Sequence, residues 1–298
     1  MPTDCGVVGL VLHFRTPERT LACLHSLADE GIGKAFLVDN SEDEGRSVKA
    51  MVAGFAQLET VGLQVDVLQP QRNLGFGAGV AAGIRHLLRT QRTHLLLINS
   101  DAMLERGALL RMLELLPLHG VIVPRLTPRS GRQGYSAFMY YQRLTALLIL
   151  RAPRDGSVAI PSGCCLLIRQ DQVRPDLFDT DFFFYGEDIM LGFDLARRGV
   201  RVAECTEATV IHAGSASAKN GSMFYEYHMA RAHWLLASKL ANNGFERGLF
   251  MAGRCLTLPL RACVRSVRGR SLTPWRGLFA ATVDVLRGRC RSFTPPAM

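Results

Sequence analysis

The sequence lacks the features that mark several common protein classes. It has no run of 18 uninterrupted apolar residues, so no membrane-spanning helix is expected. No basic segment followed by a long apolar stretch opens it, so no signal peptide is expected either. The eight cysteines form no CxxC pair, which argues against a zinc site and favours buried free thiols in a reducing compartment. We therefore expect a cytoplasmic protein.

Composition and charge exclude further classes of protein. Of the 298 residues, 48% are hydrophobic and 20% are charged, which excludes a disordered chain and a small disulfide scaffold. The formal net charge of +9 is uneven, because residues 245–298 hold ten arginines, no lysine and two acids. That segment contributes +8, and residues 1–244 contribute only +1. The basic character is thus a property of the C-terminal segment.

Apolar runs alternate with helical patterns through the first 125 residues, which predicts an α/β fold with a mostly parallel sheet covered by helices. Ligands bind such sheets beyond the carboxyl ends of the strands. Residues 125–160 have no clear period, and we interpret them as an insertion or flap. The predicted strands are 7–13, 35–39, 64–68, 94–99, 120–123, 164–168, 201–203 and 209–212. The predicted helices are 17–30, 46–56, 77–90, 105–115, 187–198 and 222–240, followed by the apolar, arginine-rich segments 245–267 and 274–289.

Polar or glycine-rich loops follow two of these strands. Asp39-Asn40-Ser41 follows the second strand, where a carboxylate can bind a base or ribose or simply cap a helix. Residues 72–79 read RNLGFGAG and open a helix, so their backbone N–H groups could approach a phosphate. Their spacing differs from GxGxxG, and an ordinary glycine-rich turn remains an alternative.

Three further groups of polar residues are candidates for metal binding or proton transfer. Asn99-Ser100-Asp101 follows a hydrophobic strand and could hold a divalent cation or cap the next helix. Glu187-Asp188 follows the sequence FFFYG, which suggests a general base beside an apolar wall, although acids at a helix start also interact favourably with the dipole. His212 ends a strand and, taken alone, is as readily a structural histidine.

The order of these segments resembles the family 2 glycosyltransferases of the GT-A fold. The resemblance spans roughly residues 6–240 and is nearest to rhamnosyltransferase-like members that build lipopolysaccharide O-antigen or other cell-surface glycans. The segments, in chain order, are VDNSEDEG, RNLGFGAGVAAGI, LLLINSDA, PSGCCLLIR, FDTDFFFYGEDIMLGFDLARRG and VIHAGSAS.

The resemblance implies a role for each position. Asp188 would be the catalytic base with Glu187 beside it, and Asp101 would bind Mg²⁺ or Mn²⁺ together with His212. Asp39 would contact the base or ribose. The implied nucleotide-sugar site comprises His13, Arg15, Asp39, Asn40, Asn73, Gly75, Phe76, Gly77, Asn99, Ser100, Asp101 and Gly163.

The sequence departs from the family pattern in three places. Relatives commonly end the first strand with Thr-Tyr-Asn, whereas residues 13–16 read HFRT, and Arg15 could add a diphosphate contact. The metal motif begins with Asn99 instead of Asp, which could lower metal affinity. Residues 189–194 read IMLGFD where many relatives have Asp-Leu and a basic residue, so acceptor contacts there are in doubt.

The resemblance implies an inverting, metal-dependent hexosyltransferase that uses a nucleoside-diphosphate sugar, with dTDP-rhamnose favoured, and a glycan or lipid-linked acceptor. A nucleotidyltransferase and a non-catalytic sugar-nucleotide-binding protein are the alternatives. We expect a GT-A domain over residues 1–244 and a basic amphipathic helical tail over 245–298, which lies on the inner face of the cytoplasmic membrane, caps the core or forms a dimer interface. Nucleic acid is not expected as a partner, because the arginines alternate with apolar residues.

Overall fold

The computed structural model describes residues 6–90, 93–128, 134–150, 157–212 and 220–290. The described strands are β1 (Val7–His13), β2 (Lys34–Asp39), β3 (Gln64–Leu68), β4 (His94–Asn99), β5 (Ala102–Leu104), β6 (Val121–Pro128), β7 (Phe138–Tyr141), β8 (Leu148–Ile149), β9 (Ala159–Pro161), β10 (Cys165–Ile168) and β11 (Val202–His212). The described helices are α1 (Pro17–Asp29), α2 (Arg46–Thr60), α3 (Phe76–Thr90), α4 (Ala108–Leu115), α5 (Glu187–Arg197), α6 (Met223–Lys239), α7 (Gly244–Gly269) and α8 (Thr273–Leu286).

An eight-stranded sheet has the order β3-β2-β1-β4-β10-β6-β11-β5. Its first four strands are parallel, as are β6 and β11, whereas β10 and β5 run antiparallel to their neighbours. The central strand β4 contributes four consecutive fully buried residues, 95–98, as expected for a strand covered on both faces. The predicted α/β class, with a mostly parallel sheet and C-terminal helices, is confirmed.

Three sequence-based element predictions were wrong in detail. The two predicted strands at 201–203 and 209–212 form one strand, β11, whose register shifts between Cys205 and Thr209. The helix predicted from residue 105 begins at Ala108, after Gly107 in a left-handed conformation. The segment 125–160 contains a second, three-stranded sheet of order β8-β7-β9, although its residues 129–133 and 151–156 lie outside the described residues.

The chain divides into two compact units. The first contains the described residues within Met1–Phe138, Pro161–Thr180 and Asp194–Gly214, and therefore the large sheet. The second contains those within Met139–Ile160, Asp181–Phe193 and Ser215–Met298. The boundary expected at residue 244 stays a prediction.

In the second unit, α6 packs against both helices of the C-terminal segment. One buried apolar cluster joins α6 to α7 and α8 and comprises Tyr227, Ala230, Leu258, Ala262, Leu278 and Ala281. No helix in the described part of the chain is long and apolar enough to cross a membrane.

The seven described cysteines are all free thiols. Cys23, Cys164, Cys165 and Cys205 are buried, as expected. The three described cysteines of the C-terminal segment, contrary to the expectation, are exposed: Cys255, Cys263 and Cys290.

Candidate active site

The carboxyl ends of three neighbouring parallel strands meet at one edge of the large sheet. His13 at the end of β1 is in register with Asp39 at the end of β2, and Leu12 is in register with Asn99 at the end of β4. The loops that follow these strands therefore start side by side. This is the edge at which open α/β sheets bind ligands.

Asp39 is a buried carboxylate held in place by two hydrogen bonds. Its Oδ1 accepts from the backbone N–H of Ser41 at 3.0 Å, and its Oδ2 accepts from Nε2 of Gln69 at 3.3 Å. Gln69 is exposed and directly follows β3, so an amide donor and a carboxylate acceptor lie next to each other. Gln69 was not among the residues predicted from the sequence, although it lies directly after a strand.

The loop at residues 73–75 is tied to the loop after β2. Nδ2 of Asn40 donates to the backbone O of Gly75 at 2.9 Å, and Oδ1 of Asn40 accepts from the N–H of Leu74 at 3.3 Å. Oδ1 of Asn73 accepts from the N–H of Gly75 at 2.8 Å, in a turn where Gly75 has φ +76°. Asn40 and Asn73 thus use these side-chain atoms to shape the glycine-rich loop.

Phe76, Gly77 and Gly163 form the packed base of that loop. The Phe76 ring meets Phe178 edge-on at a centroid distance of 5.2 Å. A Cβ on Gly163 would come within 3.2 Å of the Phe76 ring, and a Cβ on Gly77 would lie 3.3 Å from the backbone O of Asp179. Small residues at both positions let the loop approach its neighbours closely.

The segment after β1 links to the segment after β2 through Arg15. Arg15 has a left-handed φ of 52°, its N–H donates to Oγ of Ser41 at 3.0 Å and its Nε donates to the Ser41 carbonyl at 2.8 Å. His13 is fully buried, and its Nδ1 lies 2.7 Å from Oγ1 of Thr20. Burial lowers the pKa of His13, with a partial offset from Asp39, so the imidazole is neutral at pH 7.

Asp101, just after β4, and His212, at the end of β11, are the two positions implied as metal ligands, and they lie next to each other. Nε2 of His212 lies 3.3 Å from Oδ1 of Asp101, because β11 is paired with β5 and aligns His212 with Ala102. Burial opposes the charged imidazole, but hydrogen bonds to Asp101 and Cys164 raise the pKa of His212 to about 10. Asn99 and Ser100 stand half-buried in the same turn, and the Asn99 N–H donates to the Cys164 carbonyl at 2.9 Å.

The Asp101–His212 pair fits a divalent cation only in part. A carboxylate oxygen and an imidazole nitrogen at this separation can share one ion once Nε2 of His212 has released its proton, and Mn²⁺ accepts both ligand types more readily than Mg²⁺ does. The described residues contain no group of three histidine, cysteine or acidic side chains that could hold a metal ion. A cation here would therefore need further oxygen ligands, such as those of a diphosphate.

In the second unit, Glu187 and Asp188 begin α5 after an unusual turn. Tyr185 and Gly186 both have left-handed φ values, of 65° and 92°. A Cβ on Gly186 would lie 2.8 Å from the ring of Phe182 and 2.9 Å from Cβ of Ala232, so only glycine fits this turn.

The two acids at the start of α5 are unusually basic. Burial and the neighbouring Asp188 raise the pKa of Glu187 to about 8, and burial also raises the pKa of Asp188. Oδ1 of Asp188 accepts from the N–H of Ile189 at 2.8 Å. Oε2 of Glu187 is buried and has no hydrogen-bond partner within the described part of the chain.

The aromatic run before α5 packs on α6. Phe183 stacks on His228 at 5.1 Å, Phe184 meets Phe224 edge-on at 5.3 Å, and Tyr185 meets Tyr225 at 5.2 Å. These ring contacts hold the segment that leads into α5 against α6. The apolar wall expected beside the acid pair is thus also a packing surface.

A family model described as "Glycosyltransferase like family 2" matches residues 8–235. No curated protein matches the chain significantly. The chain is similar to a structure of GalNAc-T7 solved with UDP, GalNAc and Mn²⁺, with a TM-score of 0.55, 11% identity and coverage of 83% of this chain. It spans about half of that protein, 54% of its length.

A second solved structure matches over nearly all of both chains. S. aureus TarS, residues 1–349, has a TM-score of 0.55 and 12% identity, and the match covers 95% of this chain and 92% of TarS 1–349. At such identities the likeness concerns the fold. It confirms the GT-A class of α/β fold that the motif order implied.

Proposed function

The chain belongs to the family of glycosyltransferase like family 2 proteins, and on that premise we propose that it moves a sugar from a nucleoside-diphosphate donor to an acceptor hydroxyl with inversion at the anomeric carbon. The observation that carries the proposal is the acid pair at the start of α5, in which Glu187 is buried and Asp188 half-buried. A carboxylate whose pKa is raised towards neutrality is a better proton acceptor than an exposed one. Asp188 is the proposed base.

Glu187 lies next to Asp188 and affects its charge. Burial and the neighbouring Asp188 raise the pKa of Glu187 to about 8, which favours its protonated form at neutral pH, and we propose that Asp188 carries the negative charge of the pair. Asp188 would take the proton of the acceptor hydroxyl as its oxygen attacks the anomeric carbon. The departing group leaves from the opposite face, which inverts the configuration.

The metal role is proposed for Asp101 and His212. Their separation of 3.3 Å supports a shared Mg²⁺ or Mn²⁺, and Mn²⁺ is the ion in the GalNAc-T7 structure of the same fold. Such a cation offsets the charge that develops on a departing diphosphate. Asn99 and Ser100 in the same turn would orient the diphosphate, and Arg15 would add a positive charge to it.

Asp39 and Gln69 are proposed to read the nucleotide base. The carboxylate accepts a hydrogen bond from a ring N–H, and the amide beside it donates to a ring carbonyl. Uracil and thymine present this combination. The residues around Gly75 and Gly163 would lie along the rest of the donor, as would His13, Asn40, Asn73, Phe76 and Gly77.

The donor, acceptor and location are proposed from resemblance and composition. Rhamnose on dTDP is favoured by the similarity to rhamnosyltransferase-like members, and a UDP-sugar is the alternative that the same base-reading pair would accept. The acceptor is proposed to be a glycan or lipid-linked precursor of the cell envelope, such as O-antigen. We place the enzyme in the cytoplasm, at the inner membrane face, because ten arginines lie among apolar residues in 245–298.

The test is turnover of a panel of dTDP- and UDP-sugars by the wild type and Asp188→Asn, with Mg²⁺, with Mn²⁺ and with a chelator. We expect one donor to be consumed, and Asp188→Asn to lower kcat by about 10²- to 10⁴-fold with little change in donor affinity. A matched control is Asp176→Asn, since Asp176 is exposed, lies outside α5 and should tolerate the change.

Three results would contradict parts of the proposal. Near-wild-type turnover by folded Asp188→Asn would remove the base assignment. Unchanged turnover in chelator would remove the metal. Donor binding without any turnover by the wild type would favour a non-catalytic sugar-nucleotide-binding protein.

A further inference from the structure

One face of α7 is apolar and exposed along most of its length. The ideal helical spacing of 100° per residue puts six of its side chains within about 100° of arc. Its buried side chains, Phe250, Arg254, Leu258 and Ala262, lie on the opposite side. The exposed apolar side chains are Phe245, Leu249, Leu256, Leu260, Val264 and Val267, from 43% to 81% accessible.

Helix α8 also has an exposed apolar side. Trp275, Phe279 and Leu286 recur at intervals of four and seven residues and share one side of that helix. Leu272 precedes the helix and is also exposed. We call these ten side chains, of α7, of α8 and of Leu272 between them, the apolar strip.

Exposed arginines stand at the ends of both helices. Six of the nine arginines between residues 245 and 290 are exposed, and the other three point inward to bind α6 or the turn at 143–144. The acids of the same region are not exposed: Glu246 is half-buried and accepts from Asn242, and Asp284 is buried and accepts from Tyr227. The exposed arginines are Arg247, Arg268, Arg270, Arg276, Arg287 and Arg289.

This combination of groups selects among possible partners. A second copy of the same surface would bring six arginines against six, without an exposed acid on either helix to neutralise them. A nucleic-acid backbone would match the arginines but would leave ten large apolar side chains unpartnered. An anionic bilayer surface offers acyl chains to the apolar strip and phosphate headgroups to the arginines.

We propose that the solvent faces of α7 and α8 form a docking surface for an anionic lipid bilayer, with the apolar strip inserted among the acyl chains and the arginines that flank it, foremost Arg276 and Arg287, at the headgroups. The inference deepens the proposed membrane location. It rests on the proposed function only for its purpose, which is to keep the enzyme on the surface that carries a lipid-linked acceptor.

The experiment is co-sedimentation of the full chain with phosphatidylcholine vesicles and with mixed phosphatidylcholine–phosphatidylglycerol vesicles, at low and high salt. We expect binding to the anionic vesicles that weakens with salt. The double variant Leu256→Asp/Leu260→Asp should bind at least about tenfold more weakly, because it places two charges within the strip. Arg276→Gln/Arg287→Gln should lose about tenfold, and only on anionic vesicles.

The matched control is Leu110→Asp/Leu118→Asp. These leucines are 64% and 68% accessible, close to the 75% and 65% of Leu256 and Leu260, but they lie on and after α4. The control should bind vesicles like the wild type, and thermal unfolding should show that all three double variants are folded.

Several results would overturn the inference. The inference would be wrong if the wild type did not bind anionic vesicles. It would also be wrong if Leu256→Asp/Leu260→Asp bound them as tightly as the wild type does. A dimer that dissociates in that variant would assign the strip to a second copy, and equally tight salt-dependent binding to a DNA duplex would assign the arginines to nucleic acid. Donor turnover in solution is a separate readout: its absence from a vesicle-binding wild type contradicts the proposed function and leaves the lipid surface standing.

Discussion

Glu187 illustrates how burial sets the charge of a single side chain. Its pKa is raised to about 8 in the folded protein, against about 4.3 for an unperturbed glutamate. Between these values the folded state holds a proton that the unfolded state has released. Stability therefore falls as pH rises through this window, and levels off below and above it.

We expect Glu187→Gln to remove this pH dependence. The gain in unfolding free energy of the variant over the wild type should be smallest near pH 4 and grow by at most about 1.4 kcal/mol per pH unit up to about pH 8. Urea unfolding across that range measures it. Glu207→Gln, a change at an exposed glutamate, should show no such trend. A constant difference between wild type and Glu187→Gln across this pH range would mean that Glu187 is ionised in the folded protein.

Individual positions differed in how far the sequence could predict them. Asp39, Asn99 and Asp101 were identifiable because polar residues directly after apolar strands lie at the ligand-binding edge of a parallel sheet. Arg254 was not identifiable. Its fully buried guanidinium donates to the carbonyls of Arg143 and Leu144 and to the hydroxyl of Tyr141, partners more than 100 residues away.

The secondary-structure elements also differed in how far the sequence could predict them. The strands β1 to β4 and the helices α1 to α3 between them were predicted to within a few residues, because 5 to 15 residues suffice for a hydrophobic period. The strands β7, β8 and β9 are only two to four residues long, which is too short for a period to appear. Their sheet exists through pairing between distant segments, so residues 125–160 seemed irregular.

The packing of α8 on α6 depends on a glycine. A Cβ on Gly277 would lie 2.6 Å from Cβ of Glu226 and 2.9 Å from the backbone N of Tyr227. We expect Gly277→Ala to lower the free energy of unfolding by about 1–3 kcal/mol, because the helices would have to separate. Thermal or urea unfolding measures the change.

Gly248 provides the matched control for this prediction. It lies within α7, and a Cβ there would meet no atom within 4 Å. Gly248→Ala should therefore raise stability by roughly 0.5–1 kcal/mol, through better helix propensity alone. Stabilisation by both substitutions would show that α6 and α8 are not held at this close distance.

Over the whole chain, the distribution of charge and the packing of the helices suggest different divisions of the sequence. Residues 245–298 carry nearly all of the net charge, which suggested a separate tail. Yet three of their nine described arginines point inward, and their apolar residues share a cluster with α6. Net charge is a sum over side chains and carries no information about which of them are buried.

The last prediction concerns a chain that ends at Gly244. It would lose Phe250, Leu258 and Leu278, three large side chains that are buried in the second unit. Each is worth about 2 kcal/mol of burial, and together with Arg254 they approach the whole stability of an ordinary domain, about 5–15 kcal/mol. We expect the shortened chain to aggregate or to lose its cooperative unfolding transition, whereas a chain ending at Cys290, which keeps α7 and α8, should retain it. Size-exclusion chromatography measures the aggregation of the two shortened chains, and thermal unfolding measures the cooperativity of their unfolding. If the chain ending at Gly244 is monomeric and unfolds cooperatively, residue 244 is a true domain boundary and the tail is an appendage.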